Sequence, residues 1–543
     1  MSTLDIAVEM KLDGSNWTDV SADVVAPISV KYGIMGNGVL DRVAGTGIMT
    51  FALDNSIANS AHVAGYYSPS CIGCVSGFEV GCMVRLKVTY NTWVFYKFLG
   101  RIPAKGIEPV PGIRGRRITH VTVNDWMDQA AIHELDKPAY TTSKKMDEIM
   151  ALIVANMPIA PTNTEYHVGD QTYNHVFDTV RSKTRALQEF QKLALSEGGY
   201  IYIKRDRTAG ETLVCDGRYE RSEISSIAVT GPVEDAGFLL LENGGKLLQE
   251  NGDSILLDDL DSVDVEIDDS HILDMKVSNG SDVYSIVKMI SYPRNQDASA
   301  VVLFELQRRV LVEAGKTVNI TGNYRDPTGG TNNVSGIDMV TPVASTDYSM
   351  TAAEDGTGTD LTADLTVTAT YGTNTVDYAL QNTGATNGYV WVRARGKGVY
   401  IYDPVELTES DAAGLLAFGT LILSIDAKYQ DDPMFAAEIV PILLESHKNP
   451  QPSVDWVEIS PNRSHSDMLF FLQLEPGNKI RLQETQSIPV ADYFVQGVDF
   501  SINTGKEDPI IRCKYFLKNA AWDTYDFAVW DTDKWDDGSS WGF

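Results

Sequence analysis

The chain has little cysteine, little histidine and few basic side chains for its length. Five cysteines in 543 residues, at Cys71, Cys74, Cys82, Cys215 and Cys513, form no even disulfide framework, and a chain this long does not need such staples to hold a core. Reduced thiols are expected. Only 44 Lys and Arg stand against 74 Asp and Glu, giving a formal net charge of −30, which argues against a surface that grips nucleic acid by neutralising phosphates. An acidic wall repels a polyanion, so DNA passing nearby would not stick to it. No stretch offers the ~20 consecutive apolar residues that span a bilayer, so no membrane-spanning segment is predicted. The opening MSTLDIAVEMKLDGSNW lacks a basic patch followed by an apolar run, and synthesis in the cytoplasm is the expectation.

Chemical motifs are scarce too. The sequence shows no Gly-rich phosphate loop, no nucleophile elbow, no zinc-binding His pair on a helix and no recognisable acid–base carboxylate pair. The eight histidines are scattered, and His133, His167 and His175 read as surface or packing residues. No catalytic residue and no cofactor-binding residue is assigned, and the chain is expected not to be an enzyme.

What is present is a globular composition, 43% hydrophobic with 22% charged residues, which supports folding of most of the chain. Its length implies roughly three to five units. The fold class expected is mainly β with minor α, an α+β chain of β-barrels, an inserted β-sandwich and small helical elements. Residues 1–130 read as short strands, with DIAVEMKL alternating cleanly and MVRLKVTY and RRITHVTVND rich in β-formers, and predict a first barrel or sandwich.

Residues 131–228 predict a small α+β unit. Met146, Ile149, Met150, Ile153 and Met157 recur at helical spacing, with Ser143 as a cap and Pro158 as a stop. A second helix places Leu187, Phe190, Leu193 and Ala194 on one face and ends at Gly198, before the strand YIYIKRD. Residues 229–261 repeat Glu-Asn-Gly from Glu242 and Glu250 between Leu-rich runs, which predicts a hairpin ribbon. Residues 262–398 predict a β-rich segment with the inserted sandwich. Residues 399–450 predict a helical segment, with Pro433 in a first turn and Pro441 kinking the helix. Residues 451–516 predict the strands of a second barrel.

Two clusters of special residues stand out. CIGCVSGFEVGC places Cys71 and Cys74 in a Cys-x2-Cys knuckle with Cys82 nearby, and His62 or Cys215 as a distant fourth ligand, which would suit zinc or an iron–sulfur centre. No second knuckle completes it, and small buried thiols are the alternative. In the segment 517–543, Trp522, Trp530, Trp535, Trp541 and Phe543 alternate with Asp531, Asp533, Asp536 and Asp537. Free termini seldom keep such aromatics, so this segment predicts a clamp docked on its own or a neighbouring module. The aspartates resemble an acidic calcium loop that lacks its closing bidentate Glu, and a solvated acidic turn is the alternative.

Several segments, in order, resemble the tail-tip hub and minor tail proteins of long-tailed bacteriophages. GTGIMTFALDNS, YYSPS, GCMVRLKV and FLGRIPAKGIEPVPGIRGRRITHVTVND are similar to the first hub barrel. LQEFQKLALSEGGYIYIKRD is similar to the hub's helix-to-strand element. NYRDP, SGIDMVTPVASTDYSM, GTGTDLTADLTV and VRARGKGVYIYDPVEL resemble the middle of minor tail proteins, and LEPGNKIRLQET with DYFVQGVDFSI resembles a closing hub barrel. The aspartate- and tryptophan-rich ending also resembles a phage-tail terminus.

The resemblance implies a baseplate-hub-like structural protein at the distal end of the virion tail, made in the host bacterial cytoplasm. It implies a homotrimer whose paired barrels form a ring of six, a role in tube closure, and transient DNA passage without stable nucleic-acid binding. The partners implied are the tail tube or distal tail ring, tip fibres or a central spike, and the tape measure protein. The rival reading is a receptor-binding or carbohydrate-binding tail protein, or one that processes cell wall, in which Trp391 or the terminal tryptophans stack on sugar rings.

Overall fold

The computed structural model describes residues 4–112, 117–136, 138, 140–178, 180, 183–205, 207, 210–223, 265–280, 282–330, 333–484, 486–487, 490–503 and 509–520. The hairpin ribbon expected at 229–261 and the clamp residues Trp522, Trp530, Trp535, Trp541 and Phe543 lie outside the described residues, as do the four aspartates between them.

The largest element is a 14-stranded sheet that draws on both ends of the sequence. Its path runs Ile272–Asn279, Pro452–Ile459, Ile510–Asn519, Ala491–Asn503, Ile28–Gly33, Ile48–Asp54, Ile118–Asn124, Trp93–Arg101, Met83–Tyr90, Leu4–Met10 and Thr18–Asp19. Three short strands pair off this path. Strict alternation builds it: in Met83–Tyr90, Val84, Leu86, Val88 and Tyr90 are buried while the residues between them are half-buried. That period of two is the sequence signature of a sheet with one face on a core.

The mainly-β, α+β class expected from sequence is the class observed. The closed barrels are not: among the described residues no sheet closes on itself. Closing residues 1–130 alone would require the second edge of Ile28–Gly33. That edge is taken by Ala491–Asn503, in register from Ile28 opposite Ile502 to Gly33 opposite Gly497. The two β regions are therefore joined edge to edge, and one core runs beneath both. Val30, Phe51, Leu86 and Phe98 share it with Phe471, Val498, Phe500 and Tyr515.

The small α+β unit has a three-stranded sheet of Thr164–Tyr166, Thr212–Asp216 and Tyr200–Lys204, packed with the helices Met146–Ala155 and Ala186–Glu197. Ile149, Ile153, Phe190 and Leu193 form its core with Ile201 and Val214. Each large side chain buried there contributes on the order of 1.5–3 kcal/mol. Gly198 closes the second helix at φ +81°, as its position predicted. Ser143 does not cap the first. It takes φ +52° two residues too early, and the Lys145 backbone N–H instead donates to Glu148 Oε2 at 3.0 Å. The acidic side chain at the third helical position holds the turn that a serine was expected to hold.

The inserted sandwich is present. The 14-residue strand Gly388–Ile401 organises a six-stranded sheet, and Thr317–Asn323, Thr375–Asn382 and Leu365–Tyr371 form the facing one. Leu303, Val376, Tyr378, Val390 and Val392 fill the space between.

The segment read as helical is mixed. Val405–Ser410 pairs antiparallel, and Ile422–Asp426 parallel, with Ile286–Ser291. The helix Pro433–His447 covers this sheet and runs through Pro441. Asp432 caps it by accepting from the Met434 N–H at 2.9 Å, with Pro433 at the first helical position as expected. A further helix, His465–Gln473, lies where only strands were predicted.

Candidate functional site at the junction of the two sheet halves

The junction is built by a close crossing of two strands. At Gly33, with φ +93°, a Cβ would lie 2.6 Å from the Gln496 carbonyl oxygen and 2.7 Å from the Gly497 Cα. Backbone cannot yield as a flexible side chain can, so only glycine fits. The Ile34 N–H then donates to Gln496 O at 2.8 Å, continuing the ladder past the crossing.

Beneath that crossing, charged groups from three parts of the chain meet away from water. Lys97, on the strand Trp93–Arg101, has its side chain 1% exposed and is ion-paired to Glu475 Oε1. Glu475 Oε2 accepts from the Tyr32 hydroxyl at 2.7 Å and from the Arg205 backbone N–H at 3.1 Å. The Arg205 guanidinium pairs with Asp125 Oδ2 at 3.0 Å and lies over the Tyr32 and Phe98 rings at 4.5 and 4.7 Å. Asp125 Oδ1 accepts from the Gly47 N–H at 2.8 Å and the Met127 N–H at 3.1 Å. Lys97 and Arg205 thus face Glu475, Asp125 and also Glu211, whose Oε2 lies 3.7 Å from Arg205 Nη1.

Burial pushes the Asp125 carboxyl above its ordinary value, while Arg205 and the Gly47 amide pull it back. Burial also drives the Tyr32 phenol well up, with Glu475 adding to the shift, so Tyr32 remains a hydrogen-bond donor. The set spans three parts of the chain, with Arg205 Nε and Nη1 left without a hydrogen-bond partner among the described residues. What it does is fix how the first sheet half, the second half and the α+β unit meet.

A second buried pair ties the sandwich to the α+β unit. The Arg294 and Asp178 side chains are both 0% exposed. The guanidinium spans both carboxylate oxygens, at 2.7 and 3.2 Å, and also donates to Tyr292 O at 2.7 Å and Lys428 O at 2.6 Å. The Asp178 carbonyl accepts from Ser335 Oγ at 3.0 Å and Asn374 Nδ2 at 3.2 Å, both in the sandwich. The planar fork of arginine suits this bidentate geometry, which a lysine cannot reproduce.

The cysteines expected as metal ligands are dispersed in burial: Cys71 is exposed, Cys74 half-buried, and Cys82 buried. Cys82 Sγ lies 3.6 Å from Met83 O and 3.7 Å from Lys11 O. Burial raises the thiols of Cys74 and Cys82 above their ordinary values. Cys215 belongs to the α+β core, and His62 is exposed at φ +56°. Among the described residues no group of three or more His, Cys, Asp or Glu is arranged to hold a metal ion.

Of the histidines read as ordinary, His133 follows the helix Met127–Ile132 as its C-cap. His175 is buried against Tyr140, and burial lowers its imidazole value. His167 is more than a packing residue. Its Nδ1 is 3.0 Å from Asp216 Oδ1, and its Nε2 is 3.5 Å from Glu220 and 3.8 Å from Glu165. The hydrogen bond to Asp216 raises its value, with burial opposing. A histidine raised on folding stabilises fully below its unfolded value, about 6.5, and that contribution fades as pH rises through the higher folded value. An NMR titration is expected to place the His167 midpoint above that of a free histidine, and Asp216→Asn to bring it down. A midpoint at or below the free value contradicts the assignment.

No family model and no curated protein matches the chain. Among solved structures it is similar to tail proteins and to a component of the type VI secretion system. One is the 43 kDa tail protein of prophage MuSo2 from Shewanella oneidensis, at 7% identity and TM-score 0.45, covering 96% of this chain and 99% of that one. Another is a tail protein from Neisseria meningitidis, at 8% identity and TM-score 0.43, covering 96% and 98%. A third is the E. coli c3393 protein, a type VI secretion component described as structurally similar to the T4 tail proteins gp27 and gp5. It shows 7% identity and TM-score 0.34, over 94% of this chain and 76% of that one.

Proposed function

We propose that this chain is a structural subunit of a phage tail, a tip hub that joins the tail tube to the distal tip as a homotrimer. The observation that carries the reading is the junction itself. Strands from the two ends of the sequence lie side by side in one sheet, across Ile28–Gly33 and Ala491–Asn503. One chain thereby offers two β modules in fixed relation, and three chains offer six. A closed ring of that kind can meet a sixfold tube on one side and a threefold tip on the other.

The order of hub-like sequence segments supports the same reading. So does the use of the buried charges, which bridge modules. The net charge of −30 suits a conduit for DNA, since an acidic wall repels the polyanion. Closing the tube before infection and releasing the genome afterwards follow from that position. Native mass spectrometry on the chain recovered from disassembled tails is expected to give the mass of three copies. A mass of one or six copies overturns the trimer.

A further inference from the structure

The inserted sandwich carries a cleft that the hub reading does not use. Along Gly388–Ile401 the residues Val390, Val392 and Ala394 are buried, while Tyr389, Trp391, Arg393, Arg395 and Lys397 stand half-buried on the other face. Most of the cations on that face are matched. Arg395 pairs with Asp347 at 2.6 and 2.8 Å, Arg393 with the same carboxylate at 3.3 Å, and Lys397 with Asp338 at 2.8 Å. The Trp391 ring, its centroid 5.6 Å from the Arg393 guanidinium, stands on the wall of an open cleft of about 670 Å³.

The other walls are mainly polar, with Leu306 among them. Glu305, Gln307, Arg308, Glu354 and Asp355 line the cleft with Trp391. Its floor is held by Arg309, which donates to Ser349 Oγ at 3.2 Å and to the Tyr389 carbonyl at 3.4 Å. Asp355 is held in its turn by the Thr357 N–H at 2.9 Å and hydroxyl at 2.5 Å, and these bonds keep its carboxyl below the ordinary value, hence ionised. A second groove of about 770 Å³ shares Glu305 to Arg308 and continues to Arg325 and Asp326.

We propose that the Trp391 cleft binds a neutral oligosaccharide. Carboxylates of Glu305, Glu354 and Asp355 and the amide of Gln307 supply acceptors for hydroxyl groups, Arg308 supplies donors, and the Trp391 face suits the apolar side of a pyranose ring. Both signs of charge line the cleft, so neither a polyanion nor a polycation is favoured. An apolar ligand would leave these polar groups unmatched on closure. The site is independent of the hub reading, since its residues take no part in the junction.

The test uses the full chain and three soluble probes, the hexamers of glucose, N-acetylglucosamine and mannose, with saturation-transfer NMR and calorimetry. At least one hexamer is expected to show transfer to its ring C–H protons. Trp391→Ala should weaken that binding at least about tenfold, a difference of about 1.4 kcal/mol, and Trp391→Tyr should retain most of it. Glu354→Ala, at an exposed position, should weaken binding several-fold without disturbing the fold. No transfer from any of the three at millimolar concentration overturns the proposal. So does binding that Trp391→Ala leaves unchanged, or retention of dextran sulfate more tightly than any neutral hexamer.

Discussion

Glu475→Ala is expected to destabilise the chain by about 3–5 kcal/mol, because it leaves the Lys97 ammonium buried without a countercharge. Lys97 is 1% exposed, so water cannot take over the role of the lost carboxylate. The same change removes the acceptor for the Tyr32 hydroxyl and the Arg205 backbone N–H, and each orphaned donor adds a desolvation cost. The double variant Lys97→Met with Glu475→Leu removes both charges and is expected to recover much of the loss. Urea unfolding of the wild type, Lys97→Met, Glu475→Leu and the double variant makes the cycle, with Glu475→Ala measured beside it. A Glu475→Ala variant within about 1 kcal/mol of the wild type would mean that the pair adds no more than an exposed ion pair does.

Arg294→Ala is expected to cost a similar amount, about 3–5 kcal/mol, by stranding the buried Asp178 carboxylate. Its consequence should be local. Asp178 is held by Ser335 and Asn374 as well as Arg294, so losing the pair loosens the sandwich from the α+β unit before it touches the large sheet. Limited proteolysis should cut first near residues 292–300, and hydrogen exchange should rise there while Ile28–Gly33 stays protected. Arg294→Lys keeps the charge but cannot span both oxygens, so an intermediate loss is expected. Equal exchange throughout the chain in Arg294→Ala and wild type would refute the role.

The β class was legible because alternation in Met83–Tyr90 and in Gly388–Ile401 is a local signal, set by which face of each strand meets a core. The helices Met146–Ala155 and Ala186–Glu197 were legible for the same reason, with Gly198 marking an end that only a left-handed residue makes easily. His465–Gln473 was not. Its run from Met468 to Leu472 is buried on every side, so it has no polar stripe and reads like a buried strand. Ser464, which accepts from the Asp467 N–H at 3.0 Å, was the signal available for a helix start.

The joined sheet was invisible for a different reason. Each β region reads as a self-contained set of strands, and nothing local states that the free edge of Ile28–Gly33 is filled by a strand near the other end of the chain. The buried charges share that limit. Lys97 and Glu475 lie 378 residues apart, and only the lysine inside the apolar run FYKFLG hinted that a partner had to exist. Trp391 was singled out from sequence as a possible sugar platform, but its acidic and amide neighbours come from separate stretches of chain, Glu305 to Arg309 and Glu354 to Asp355.

The central claim is tested most directly by a cryo-EM reconstruction of the tail tip in intact virions. The account predicts three copies of this chain around the tail axis, with the two halves of each 14-stranded sheet alternating into a ring of six modules against the tube. Six copies in that ring, a single copy on the axis, or placement away from the tube would contradict it.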